Sequence, residues 1–262
     1  MHKEITLPSL RRFNLFMGFL HLIQGGLMLG FSLGIDMISA FRPPLRTYFL
    51  TFDRTAMRLV TDPRGAGSLP FGVLVACFLL LSALAHFLIV MPGMNRIYNR
   101  SIENGINPFR WYEYALSSSI MIVLIASVFG VYAVDTLIAV FLLNACMNMF
   151  GLLMEQMNQG RGKGETCWGP FVFGCLAGLG PWAIVALSAF GNSDLGEVPW
   201  FVFAITFSYF FFFNLFPVNM VLQYKRIGRW ADYRYGERGY IILSLVAKSV
   251  LAWLVFAGVM QP

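Results

Sequence analysis

Seven stretches of this chain run for more than twenty residues with at most two charged side chains in each: about 13–35, 69–91, 109–134, 136–158, 169–190, 200–223 and 240–260. An apolar run of that length matches a hydrocarbon layer about 30 Å thick, which takes roughly 20 helical residues at 1.5 Å rise. Backbone groups in lipid have no water to bond, so each run must be a helix or part of a closed barrel. Barrel strands alternate apolar and polar residues, and these runs do not, which leaves helices. No internal repeat is visible, so inverted-repeat transporter folds gain no support. The expected fold is an all-α membrane protein, one seven-helix bundle over residues 1–262.

Composition agrees with that reading. Hydrophobic residues make up 58 % of the chain and charged ones 12 %, against about 25 % charged in an ordinary soluble domain. That deficit argues against a soluble enzyme, a disordered segment or a nucleic-acid-coating protein. The net charge of +6 would suit an anionic partner, but the charges sit in short clusters between apolar runs. The first run is too long for the apolar part of a secretory signal, so no cleaved signal is expected. Cys77, Cys146 and Cys175 lie inside apolar runs and Cys167 in a polar connector, with no C-x-x-C pair. They read as free thiols packed in the core, with neither a disulfide framework nor a metal site.

Lysine and arginine in the connectors set the orientation. Thirteen lie on the side of the N-terminus: Lys3, Arg11, Arg12, Arg96, Arg100, Arg110, Arg161, Lys163, Lys225, Arg226, Arg229, Arg234 and Arg238. Five lie on the other side, Arg42, Arg46, Arg54, Arg58 and Arg64, all in one long loop at 36–68. Asp36, Asp53 and Asp62 partly offset them, while the loops around Asp135 and at 191–199 and the tail at 261–262 carry none. The expected topology in a plasma membrane puts the N-terminus in the cytoplasm and the C-terminus outside. Within the long extracellular loop, 47–52 and 57–60 have strand-like composition, and 53–56 could join them as a β-hairpin. An irregular amphipathic loop is the alternative.

A charge at mid-bilayer costs about 2.5–3.5 kcal/mol on insertion scales, so ionisable residues inside the spans mark function. Lys248 sits about 12 Å into the last span, too deep for easy snorkelling to water. Glu113 lies about 7–8 Å into the third, after an Asn107-Pro108 pair suited to a helix start. His21 in the first span and His86 in the second fall at a similar depth. Ser244 shares a face with Lys248, and Ser117 and Ser118 lie one turn past Glu113. Asn144 and Asn148 stand one turn apart in the fourth span. Glu155, near the end of that span, reads as solvated. In the sixth, Tyr209, Phe210, Phe213 and Phe216 fall near one face, and Pro217 should kink the helix. Together these suggest a polar cavity in the inner half of the bundle beside an aromatic wall.

A lone lysine on the seventh helix, an acid on the third and an aromatic sixth helix resemble the retinal-binding pattern of rhodopsins. The stretches RWYEYALSSS (110–119), FPVNMVLQYK (216–225) and SLVAKS (244–249) are similar to heliorhodopsins and differ from type-1 pumps. The resemblance covers all seven spans and the long first loop. It implies a rhodopsin-like bundle with an inverted orientation, in agreement with the loop charges. It further implies all-trans retinal as a protonated Schiff base on Lys248, with Glu113 as the counterion. Tyr114 would line the polyene, His21 and His86 would be cavity histidines, and Ser118 and Ser244 would lie near the Schiff base. Phe213, Asn144 and Met147 are further pocket candidates. A homodimer and a cytoplasmic signalling partner of unknown identity are also implied.

Departures from the pump pattern bear on function. Type-1 pumps usually carry an aspartate one turn before the lysine, where this chain has Ser244. Their third-helix triplet falls here on Glu113, Ser117 and Leu124, and leucine cannot donate a proton. Fast reprotonation is therefore disfavoured. The resemblance implies a slow photocycle and a light-sensing role, neither enzymatic nor ion-pumping. The alternatives are a light-driven ion transporter or channel and a seven-helix protein without retinal. The basic connector at 224–239 could meet anionic lipid or an acidic partner, although the positive-inside bias alone accounts for it.

Overall fold

A computed structural model describes residues 5–162, 164–191 and 200–259. Lys3, Lys163, nearly all of the 191–199 loop and the chain from residue 260 lie outside the described residues. The chain enters α1 (Leu7–Gly34) through Thr6, whose hydroxyl accepts from the Ser9 amide at 3.3 Å. The Ser9 hydroxyl in turn accepts from the Thr6 amide at 3.1 Å, so two amides that begin the helix are satisfied reciprocally. There follow a short α2 (Asp36–Ala40), strands β1 (Pro44–Asp53) and β2 (Arg58–Ser68), α3 (Phe71–Val90) and α4 (Pro92–Glu103). Then come α5 (Pro108–Val128), α6 (Val134–Met157), α7 (Gly169–Phe190), α8 (Trp200–Tyr224) and α9 (Tyr233–Val259). All but α2 and α4 are long and apolar enough to cross a membrane, seven helices among the described residues. The molecule is an integral membrane protein with a seven-helix bundle.

Several boundaries differ from the sequence expectation. α1 begins at Leu7 and α9 at Tyr233, earlier than the apolar runs. Arg11, Arg12, Arg234 and Arg238 look like loop charges, but helical hydrogen bonding continues through such residues at little cost. α5 ends at Val128, because Gly130 takes a left-handed φ of 83° and turns the chain. α4 occupies what reads as a connector. It is a surface helix that buries Asn95, Tyr98 and Ile102 along one face and exposes Arg96 and Arg100.

The first loop is a two-stranded antiparallel sheet, as expected, but both strands are longer. Asp53 makes the turn: its Oδ1 accepts from the amides of Thr55 (2.8 Å) and Ala56 (3.1 Å). β2 runs through Pro63 and Gly65, which a central strand would not tolerate. In a pair, each strand keeps one edge free for a missing donor. The Arg46 amide donates to the Tyr132 carbonyl at 2.9 Å, tying the hairpin to the α5–α6 turn.

α1 packs on α3, α3 on α5, α5 on α6, α6 on α7 and α8 on α9, which also meets α1 and α3. α5 is the most buried span. On the hairpin side its Ile122, Leu124 and Ile125 pack with Phe78 and Leu79 of α3 and with Leu251 and Val255 of α9. Phe16, Leu27, Leu176 and Phe211 point outward, as lipid-facing residues do. The same physics corrects the cysteine reading. All four are free, but Cys146 and Cys175 are exposed and Cys77 and Cys167 only half-buried. An apolar run in a membrane helix does not distinguish the core face from the lipid face.

Candidate functional site

Ser82 of α3, Glu113 of α5 and Lys248 of α9 meet inside the bundle. Lys248 of α9 is 3 % exposed. Its Nζ donates to Glu113 Oε1 at 2.6 Å and to Ser82 Oγ at 2.5 Å. Ser82 donates to the same Glu113 oxygen at 2.7 Å and closes a three-membered cluster. Asn107 sets the depth of Glu113, since its side chain accepts from the Arg110 amide at 3.2 Å and starts α5 there. Ser82 does not stand out in the sequence. The signal that could have found it is its place one turn before His86, on the same face.

A cavity of ≈ 340 Å³ adjoins Lys248. Tyr114, Met147, Trp182, Tyr209, Phe213 and Phe216 line it, together with Ser118. The Tyr114 ring stands 5.2 Å from Lys248 Nζ, and its hydroxyl donates to the Tyr240 carbonyl at 3.0 Å. Trp182 packs edge-on against Phe213, with ring centroids 5.5 Å apart. The α7 wall is cut close by glycine: a Cβ on Gly178 would stand 2.8 Å from Met147 Sδ. Ser118 accepts from Asn144 Nδ2 at 2.7 Å and Asn148 Nδ2 at 3.1 Å, pinning α6 to α5. Asn144 is thus a neighbour of the cavity wall, whereas Asn148 lines it.

A second cavity of ≈ 40 Å³ lies toward the N-terminal side, lined by Asn14, Ser82, His86, Glu113, Ser244 and Glu237 among others. His86 Nδ1 is 2.8 Å from Asn14 Oδ1. His21 stacks on His86 at a centroid separation of 5.5 Å, but borders neither cavity. Of the ten residues singled out from the sequence, nine line a cavity or touch a residue that does so through a hydrogen bond. His21 joins them only through the His86 ring.

The sequence reading misses a second charge cluster. Arg110 forms ion pairs with both Glu155 and Glu237, and all three side chains are buried. Glu155 also accepts from Trp111 Nε1 (2.7 Å), the Asn107 amide (2.9 Å) and the Tyr233 hydroxyl (2.8 Å). Glu237 accepts from Asn107 Nδ2 (2.7 Å) and the Tyr98 hydroxyl (3.2 Å). Burial, and then the charge of Glu237, hold the Tyr98 phenol well above its usual range, so it stays a donor. The guanidinium lies over the Tyr240 ring at 4.0 Å. Glu155 is therefore not solvated, and Arg110 is not a loop charge. Glu237 was visible in principle, because residues 237, 241, 244 and 248 recur at helical spacing on one face.

These residues fit a retinal. The amine is buried and primary, a carboxylate neutralises it, and the adjoining cavity has flat apolar walls. No curated protein matches the chain. A sequence model described as Heliorhodopsin matches residues 10–260, nearly the whole length, and that family binds retinal. The chain belongs to the heliorhodopsin family.

Proposed function

We propose that this protein is a light-sensing photoreceptor that holds all-trans retinal on Lys248, uses Glu113 as the counterion, and does not pump ions. The observation that carries the reading is the 2.6 Å contact between Lys248 and Glu113 beside an aromatic cavity. A primary amine condenses with an aldehyde by forming a C=N bond and losing water. Protonated, that nitrogen is a buried cation and needs a buried partner. Glu113 is the partner, and Ser82 fixes its orientation. Bound retinal supplies light absorption and isomerisation. Tyr114, Met147 and Phe213 hold it in place, and the Ser118–Asn144 bond stiffens the wall behind them.

The proton on the Lys248 nitrogen moves into the cavity bordered by His86 and Ser244, with His21 behind His86, and later returns. On the hairpin side Ile122, Leu124 and Ile125 of α5 pack in an apolar core, which favours the cavity on the other side. With Leu124 and Ser244 at the positions a pump would use, return is slow. In this reading the N-terminus lies in the cytoplasm and the C-terminus outside, which the excess of connector Lys and Arg on the N-terminal side supports. The basic stretch at 224–239 then faces the cytoplasm, where a signalling partner would meet it, and Pro217 provides a hinge. A homodimer belongs to the same reading.

Reconstitution with all-trans retinal tests it. The protein should take on a visible band, and Glu113→Gln should shift that band to the red. A colourless protein, or a variant with an unchanged spectrum, would overturn the assignment. Illuminated cells in unbuffered medium should show no sustained, protonophore-sensitive pH change; such a change would establish transport instead.

A further inference from the structure

We propose that Glu237 is the group on which the proton from the Lys248 nitrogen comes to rest, reached through the small cavity whose wall it shares with Glu113. The proposal rests on the reading of Lys248 and Glu113 above, but its grounds lie elsewhere in the molecule. The first ground is charge. Among the described residues Arg110 is the one cation paired with the carboxylates of Glu155 and Glu237, so two acids there share one counter-charge. Two carboxylates that share one cation in a buried site do not both hold their charge cheaply, and one proton removes the excess.

The second ground is the way the two acids are bonded. Glu155 accepts three hydrogen bonds besides the ion pair, from Trp111, Tyr233 and the Asn107 amide. Glu237 accepts two, both on Oε1, from Tyr98 and Asn107. Among the described residues its Oε2 meets only Arg110. Of the two acids, Glu237 therefore gives up less on protonation, and it alone borders the small cavity.

The third ground is access. The cavity of ≈ 40 Å³ touches Ser82, Glu113 and Ser244 as well as Asn107, Arg110 and Glu237. A water needs roughly 10–15 Å³ of such space and two to four polar partners, and this cavity offers both. The charged and titratable groups around Glu237 are Arg110 of α5, Glu155 of α6, Tyr98 of α4, and Tyr233 and Tyr240 of its own helix. His86 borders the same cavity and is held by Asn14. Asn14 also reaches the Tyr98 hydroxyl at 3.4 Å, which links the histidine's support to that of the glutamate.

The step balances without a co-reactant. The nitrogen releases its proton and keeps the electron pair, and a lone pair of a Glu237 oxygen forms the O–H bond. On return that O–H bond breaks and the carboxylate re-forms. While Glu237 is neutral, Arg110 keeps Glu155 as its counter-charge, and the start of α9 is held to α5 by one ion pair fewer.

Infrared spectroscopy of the carboxyl C=O stretch tests the proposal in two ways. In the retinal-free protein, an acid titration should raise one buried-carboxyl band in the wild type that Glu237→Gln lacks. Identical titrations in the two proteins would overturn it. In the retinal-loaded protein, light should raise the same band in the wild type and not in the variant. A light-induced band that persists in the variant, or is missing from the wild type, would also overturn it. If Glu237→Gln does not fold, Glu237→Asp serves, since the band should then shift in frequency. A band that keeps its frequency in the aspartate variant belongs to another group. A protein that stays colourless sinks the reading of Lys248 and leaves the retinal-free titration to decide Glu237.

Discussion

The bundle contains two buried charge clusters, and they are built on opposite principles. Lys248 and Glu113 are electrically balanced, have few supporting bonds, and stand beside a cavity that leaves room for a ligand. Arg110, Glu155 and Glu237 set two acids against one guanidinium, and donors from α4, α9 and the start of α5 surround them. Burying a charge in either cluster is costly, and removing one partner leaves the other stranded. The contrast separates a pair with room for a ligand beside it from a cluster that ties four helices together on the side of the N-terminus.

Substitutions can break or sharpen that contrast. The largest effect is expected for Lys248→Ala, which should abolish the visible band after incubation with all-trans retinal while the protein remains folded. Absorbance and circular dichroism check this together, and a coloured variant would place the pigment elsewhere. Next is Arg110→Met, which strands two carboxylates and should cost about 3–5 kcal/mol. Thermal unfolding in detergent should show the loss, and the folded fraction should keep its colour. If Arg110→Met instead kept its stability and lost its colour, the division of labour between the clusters would be wrong. The smallest effect is expected for Tyr233→Phe, which removes one of the donors to Glu155 and should cost about 1.5–3 kcal/mol, the range for a bond to a charged group. A loss as large as that of Arg110→Met would mean that the phenol, and not the guanidinium, organises the cluster.

The two clusters also differ in how readable they are from sequence. Lys248 and Glu113 stand out because a charge deep in an apolar run has no ordinary explanation. Arg110, Glu155 and Glu237 sit near helix ends, where charges are common and the positive-inside bias absorbs them. Nothing local separates a helix-end arginine that faces water from one that faces two acids. The hairpin is readable in its turn and its first strand, but β2 runs on through Pro63 and Gly65, residues that argue against a strand unless the sheet has only two. The cavity wall is legible in its aromatics. Its glycine side is not, because Gly178 matters through its distance to Met147 and not through any pattern in the chain.

α9 carries a member of each cluster on one face, Glu237 and Lys248. They are eleven positions apart, about 16 Å at helical rise. Each added or deleted residue between them would swing one member about 100° around the helix axis relative to the other. The segment from 238 to 247 should therefore tolerate no change in length, so homologues that keep both groups should also keep the count between them.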